Sequence, residues 1–468
     1  MRSPVAVTRA LLGRVVPSGA ILLSVLTFGS YLMGLVRDRI LTGTFGAEAA
    51  LDTFNAAFVI PELTFGVIVA SGLAAPFIPI FAALKRDEGV PAALAFGQTV
   101  LTAAVLVMGI VALVLFVVAP WTVEVVAPSF GPDQRELYTE LFRVMCVTQI
   151  LFAGSMALGE VLIAERRFFF YGAAPLLYNL GIVLGTVFLA DAIGIFGPAV
   201  GAVLGASLHL GIRVAGIART GFRIRPRLAV GTRAFREFLR LLLPKTGSSP
   251  IEPLSFLFFT RLASGLAEGS IVTINLARNF QSVPVSLIGV AFSLAAFPPL
   301  AAAYAASDRR GFIRLIATNA LTIGSLTTAA AVALAVVGPR AIGVLLGGGR
   351  FDADDVARTA EVLAVFAISV PFESLGHLLS RAIYATHHTL WQVGASLVGF
   401  LVTILVAQGF VGSLGVLAIP TAFAVGSAVR CALLVVVLAA RVRRMPPATA
   451  AGPETAAGSE TAAGPEGS

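Results

Sequence analysis

The sequence predicts an all-α polytopic membrane protein of about twelve transmembrane helices, grouped as two six-helix lobes. Three observations carry this. Of 468 residues, 57% are apolar and only 12% charged, with a mean hydropathy of +0.92. A soluble chain carries roughly twice that charged fraction. The apolar residues come in runs near the ~20 residues that cross a hydrocarbon core of ~30 Å. The basic residues collect in every second loop, as in membrane proteins whose cytoplasmic loops hold the positive charge.

In chain order the expected spans lie near 19–42, 54–83, 95–119, 138–163, 168–192, 196–218, 236–262, 270–305, 312–338, 356–383, 388–409 and 414–440. The first follows Arg2, Arg9 and Arg14 and so has the outline of a signal peptide, but it has no convincing small-residue cleavage site and many spans follow it. It is read as a retained helix. Loops after even-numbered spans hold Lys85, Arg86, Arg166, Arg167, an arginine run from Arg219 to Arg240, Arg309, Arg310 and Arg314. Loops after odd-numbered spans hold Glu124, Asp133, Asp191, Asp352, Asp354 and Asp355. Both termini are therefore expected in the cytoplasm.

The net charge of +8 and pI near 10.2 follow from these short loops, so the basic balance points to an anionic leaflet and away from nucleic acid. Cys146 and Cys431 both lie inside apolar runs, and no disulfide is expected.

Leu73-Ala74-Ala75-Pro76-Phe77 recurs as Leu294-Ala295-Ala296-Phe297-Pro298, an offset of 221 residues that also pairs Asp87 with Asp308. Each stretch closes the second span of a six-span half, so the halves share one orientation, and transporters built this way place substrate between them. The expected division is a cytoplasmic segment 1–18, a lobe 19–218, a basic linker 219–235, a lobe 236–440 and a tail 445–468. The tail's Thr-Ala-Ala-Gly repeats cannot bury a core and read as disordered.

Charges inside spans mark function or pairing, because an ionisable group at a lipid-facing helix centre costs ~2.5–3.5 kcal/mol. Arg37, Asp38 and Arg39 interrupt the first hairpin, with Thr27, Ser30 and Gly34 on the face of Arg37. They either line a cavity or end the helix, Arg37 then pairing with Asp38 or Asp52. In span 8, Asn275, Asn279, Ser282, Ser286, Gly289 and Ser293 form one polar stripe, bordered by Arg278 and Gln281. Small polar stripes also pack helices together, but packing does not require a guanidinium, whose fork suits phosphate oxygens. Span 7 is expected to break at Pro244, Gly247, Pro250 and Pro253, with Lys245 and Glu252 two turns apart; Lys245 either faces a cavity or snorkels. Glu373, His377 and Arg381 form either a proton relay or a salt-bridged turn, and Glu62 is a further carboxylate for ion coupling. No nucleophile triad, Cys/His metal set or phosphate-cradling GxxxxGK[ST] is present, so neither an enzyme nor ATP as energy source is expected.

Several stretches together resemble the MurJ/MviN family of lipid II flippases, within the wider MOP group that includes MATE transporters. They are Gly34-Leu35-Val36-Arg37-Asp38, Phe45-Gly46-Ala47, Asp52-Thr53-Phe54, Phe77-Ile78-Pro79-Ile80, Val283-Pro284 to Gly289-Val290-Ala291, and Gly349-Arg350-Phe351 with Asp355. The resemblance implies a V-shaped pair of lobes around a cationic central cavity in the bacterial cytoplasmic membrane. It implies transfer of a polyprenyl-diphosphate-linked saccharide, lipid II or a related glycan, to the outer leaflet for cell-wall synthesis.

The family's pattern is departed from at Tyr31, Phe65, Gly66, Ala70, Ser71, Arg278, Asn279 and Ser282, and the chain is expected to lack two C-terminal helices that hold the lipid tail. Expected substrate-binding residues are Arg37, Asp38, Asp52, Arg278, Asn279, Asn275 and Lys245. Asp52, Glu62, Glu252, Glu373 and His377 are candidates for ion coupling. No cofactor or metal is expected, the membrane potential or an ion gradient supplying the energy. Expected partners are the lipid-linked substrate, membrane lipids and cell-wall enzymes, and a monomer is favoured. Two other functions fit the same residues: a MATE-like ion-coupled exporter of small amphiphiles, and a transport-inactive envelope scaffold.

Overall fold

The computed structural model describes residues 18–70, 73–218, 220–246, 251–386 and 388–445. The segment 1–17, the tail 446–468 and the side chains of Lys245 and Glu252 lie outside that description. Helices dominate the described residues, with no strand among them. The first half runs α1 (Ser18–Phe45), α2 (Ala49–Phe65), a π turn (Gly66–Ala70), α3 (Ala74–Asp87), α4 (Val90–Val126), α5 (Pro132–Ala164), α6 (Phe168–Gly172), α7 (Ala174–Ile193) and α8 (Phe196–Ile217). The second half runs α9 (Arg233–Thr246), α10 (Ile251–Ala263), α11 (Ser270–Pro284), a π turn (Val285–Val290), α12 (Ala291–Ala305), α13 (Arg309–Leu345), α14 (Ala353–Ala367), α15 (Val370–Ala385), α16 (Thr389–Leu414) and α17 (Ala418–Arg443).

The 221-residue offset read from one short motif holds, to within a few residues, for element after element. Both second spans contain a π turn followed by a short helix, and α4 and α13 are each 37 residues long. The last hairpins of the halves correspond too. A Cβ at Gly181 would stand 2.2 Å from the Gly205 Cα, and one at Gly185 would stand 2.4 Å from the Gly201 Cα, so α7 and α8 touch backbone to backbone. In the second half a Cβ at Gly426 would reach the Gly399 carbonyl at 2.6 Å, bringing α17 against α16 in the same way. Small residues let membrane helices approach this closely, where dispersion replaces the absent hydrophobic drive.

By length and apolarity nine described helices qualify as spans, or ten when α14 and α15, bent by 41°, count as one. The expected twelve is thus not reached by this count, for two reasons. Leu390–Arg443 is scored as one stretch although α16 and α17 fold back on each other. The seventh span is divided between α9 and α10, on either side of residues outside the description.

The expected lobe boundary at 236 also falls inside a helix. Phe235, Phe238, Leu239 and Leu242 recur at helical spacing along α9 and join the apolar cluster of Phe77, Phe81 and Phe96 in the first half. The edge of Phe96 meets Phe238 at 5.8 Å between ring centroids. By packing, α9 belongs to the first half.

The contacts that join the halves gather at one end. Two arginines form a symmetric pair. Arg39, near the end of α1, donates to the carbonyls of Val344 and Leu345 at the end of α13. Arg261, near the end of α10, donates to those of Glu124 and Val125 at the end of α4. A cation at the last carbonyls of a helix suits both their unmet acceptors and the helix dipole. Beside them the Arg350 N–H donates to the Gly43 carbonyl at 2.8 Å, and Arg350 pairs with Glu48 at 2.6 Å. At Gly349 the chain is in the left-handed region (φ 62°), and a Cβ there would lie 2.2 Å from the Gly43 carbonyl oxygen, so only glycine permits this approach. A continuous apolar core containing Leu51, Phe54, Tyr138, Ile271 and Phe366 lies behind this seam.

Candidate functional site

Beneath the seam, between the halves, lies a cavity of about 680 Å³ walled by α1, α2, α7, α10 and α11. The interruption at 37–39 becomes intelligible here. Successive helical residues point about 100° apart, so three neighbouring charges take three directions. Arg37 faces the cavity, Asp38 lies between the halves, and Arg39 reaches α13.

Arg37 donates from Nε and Nη2 to Asp38 Oδ1 at 3.0 and 2.7 Å, and from Nη1 to Asn179 Oδ1 at 3.0 Å. Asn279 Nδ2, from the second half, donates to Asp38 Oδ2 at 3.2 Å. One polar chain thus runs Asn179–Arg37–Asp38–Asn279 across the cavity. Glu62, Asn55 and Asn275 also line it, with Glu62 close enough to Arg37 for their charges to interact.

The cavity is not cationic, as the resemblance implied. Its described lining carries one guanidinium against the two carboxylates of Asp38 and Glu62. The reason is local: where the resemblance leads to expect arginines, Gly66 stands on the wall without a side chain, Phe65 packs on Phe152, and Tyr31 is exposed elsewhere on α1.

The other expected residues divide. Asp52 is buried and accepts the N–H groups of Gly269 and Val272, both at 2.8 Å. It caps α11 from across the seam, because those first-turn donors have no intrahelical acceptor. Arg278 turns away from Arg37 into a separate cavity inside the second half. There its two terminal nitrogens hold Glu373 at 2.9 Å each, it bonds the Gln281 side chain, and it stacks 4.6 Å from the Phe423 ring. Glu373 therefore pairs with α11 and not, among the described contacts, with Arg381, and His377 lines the same second cavity.

The polar stripe of span 8 is broken for a local reason. The π turn at 285–290 shifts the helix phase, so Asn275 and Asn279 face the central cavity while Gly289 packs on Ser374. Lys245 and Glu252 have no described side-chain position.

Sequence reasoning missed Asn179, Asn55 and Tyr178, because neutral residues in a span carry no charge signal. It also passed over a buried set in the first half, where a signal existed: Glu160, His209 and Arg213 are ionisable residues within spans. Arg213 donates to the Ser155 carbonyl at 2.6 Å and lies 4.9 Å from the Tyr171 ring, and Ser155 also bonds His209.

Residues 41–452 match the family model described as "Lipid II flippase MurJ". The chain belongs to the MurJ family. It is 25% identical over 416 residues to the "Lipid II flippase MurJ" of Burkholderia cenocepacia, covering 87% of this chain and 81% of that one. Its fold is similar to a solved "Lipid II flippase MurJ, inward closed conformation", with TM-score 0.76 and 20% identity over 90% of this chain and 87% of that one. It is also similar to an inward-facing MATE transporter of the MOP superfamily, with TM-score 0.75 and 14% identity over 91% of this chain and 98% of that one. Family and apolar helices together make this a multi-pass protein of a bacterial inner membrane.

Proposed function

We propose that this MurJ family member is a flippase, moving a polyprenyl-diphosphate-linked saccharide such as lipid II from the inner to the outer leaflet for cell-wall synthesis. The observation that carries this is the polar chain from Asn179 through Arg37 and Asp38 to Asn279 across the cavity between the halves. The basic loops, on the side away from the seam, support an orientation with both termini in the cytoplasm and the seam facing outward.

A diphosphate oxygen binds a guanidinium better than water does in a desolvated site, and in two places at once. In this reading, headgroup oxygens displace Asp38 from Arg37. Asp38 then turns from Asn279, so one of the links between the halves is lost, the seam is weakened, and the halves rock to expose the cavity on the other side. Arg37 enters paired, so its charge is held without a net cationic cavity until the anion arrives. Asn275 and Asn55 supply neutral donors to sugar or phosphate. The energy comes from the membrane potential, worth ~2.3 kcal/mol per charge per 100 mV, or from an ion gradient through Glu62. The protein acts as a transporter with no bond made or broken.

The test is transfer of a fluorescent polyprenyl-diphosphate glycan across reconstituted vesicles. Arg37→Ala is expected to abolish transfer with insertion and yield unchanged; transfer at the normal rate in that variant refutes the assignment. The carboxylate excess in the cavity favours one second reading, export of a small cationic amphiphile. Accumulation of a cationic dye by the same vesicles, with the lipid unmoved, would establish it.

A further inference from the structure

The second cavity, about 320 Å³, lies wholly within the second half, between α10, α11, α15, α16 and α17. Its charges do not balance. Among the described residues its lining holds the guanidinium groups of Arg278 and Arg430, the imidazole of His377, and one carboxylate, Glu373. Glu373 is already engaged, by both terminal nitrogens of Arg278 and by the Gln281 amide at 2.9 Å.

Arg430 is what remains. It sits near the midpoint of the 26-residue helix α17, at the depth where a charge is most costly unless a partner or water meets it. It makes no hydrogen bond or ion pair among the described residues, and its Nε is buried without a partner. Room for it is built in. A Cβ at Gly399, on α16, would stand 2.8 Å from the Arg430 Cβ, so the lack of a side chain there leaves the space Arg430 fills, and Gly376 on α15 lies beside its Cζ. No described carboxylate answers it, and Arg381, one turn beyond His377, adds further positive charge nearby. The hydroxyls of Ser396 and Ser427 line the same space.

We propose that this second cavity is a binding site for a small anion, a halide or an oxyanion of phosphate size, held by Arg430 with help from His377 and the two serines. A planar guanidinium offers parallel N–H donors that fit an oxyanion in two places at once. The site is separate from the Arg37 chain, and only the Phe256 ring is shared by the walls of both cavities. The anion therefore has two sources, a free ion from water or the diphosphate of a lipid reaching past Phe256. The inference stands whichever cargo the central cavity carries.

The experiment uses the full chain in nanodiscs of zwitterionic lipid, titrated with chloride and separately with phosphate, gluconate holding the ionic strength constant. The reading is the thermal unfolding midpoint. A saturable rise is expected in the wild type, with affinity reduced at least about tenfold in Arg430→Gln, since a charged hydrogen-bond partner is lost. The exposed variant Arg309→Gln should keep the wild-type curve. If Arg430→Gln does not fold, His377→Gln and Ser427→Ala serve instead, each expected to weaken the response. Competition by added polyprenyl diphosphate would identify the lipid headgroup as the occupant, and its absence would identify the free ion. No saturable response to either anion, or the same curve in wild type and cavity variants, overturns the proposal.

Discussion

Asp52→Asn should loosen the seam without touching the cavity. The carboxylate accepts two backbone N–H groups of α11, each at 2.8 Å, from a buried position on α2. The amide keeps the shape but offers one acceptor oxygen, and turns an NH₂ group toward the other N–H. A buried bond to a charged acceptor contributes about 1.5–3 kcal/mol. Losing one therefore shifts the ratio of seam-closed to seam-open protein by roughly 10- to 150-fold. The assay is cross-linking by a bis-maleimide between cysteines placed at Glu48 and Arg350, whose side-chain ends meet across the seam at 2.6 Å, a separation of two long side chains that the reagent and not a direct disulfide can span. That exposed ion pair is itself worth at most ~1 kcal/mol, so replacing it leaves the seam nearly intact. Cross-linking should be fast when Asp52 is kept and much slower in the Asp52→Asn background, and both proteins should insert equally well. Equal cross-linking rates would refute the idea that Asp52 holds the halves together, and would return it to the list of candidate ion-coupling groups.

Other outcomes follow from the same geometry. Gly205→Ala puts a methyl 2.3 Å from the Tyr178 carbonyl oxygen, next to the Asn179 that steadies Arg37, and should cost about 1–3 kcal/mol in thermal stability together with a loss of transport. Arg39→Ala and Arg261→Ala should each raise accessibility of the seam to a thiol reagent by similar amounts, about 0.3–1 kcal/mol apiece, with additive effects in the double variant. Phe238→Ala removes an aromatic contact that seats α9 on the first half, and should speed tryptic cleavage at Arg233, Arg236 and Arg240 while leaving the transmembrane core protected.

The fold was legible where the signal is composition or repeated period. Hydropathy runs, alternating loop charge and a five-residue echo pointed to two like halves, and the paired π turns and the two 37-residue helices agree with that. What stayed hidden depends on phase and on the partner. The stripe from Asn275 to Ser293 assumes an unbroken helix, whereas a π turn sends its two ends to different places. Asp52 looked like an ion-coupling acid because a sequence does not display the backbone N–H groups that a carboxylate meets. Arg278 and Asn279 are neighbours in the chain, yet one faces the second cavity and the other the first. Amphipathic α9 was readable as a helix, but which half its phenylalanines join was not.

The seam has a consequence for how such a protein diverges. Arg39, Arg261 and Asp52 reach across to carbonyls and amides of the opposite half, and Arg350 meets Gly43 main chain to main chain. Carbonyl acceptors belong to every residue type and amide donors to all but proline, so Val344, Leu345 or Glu124, and Val272 for any residue but proline, can be exchanged by mutation with no loss of the bond. A seam written largely in main-chain groups can persist while the side chains around it drift.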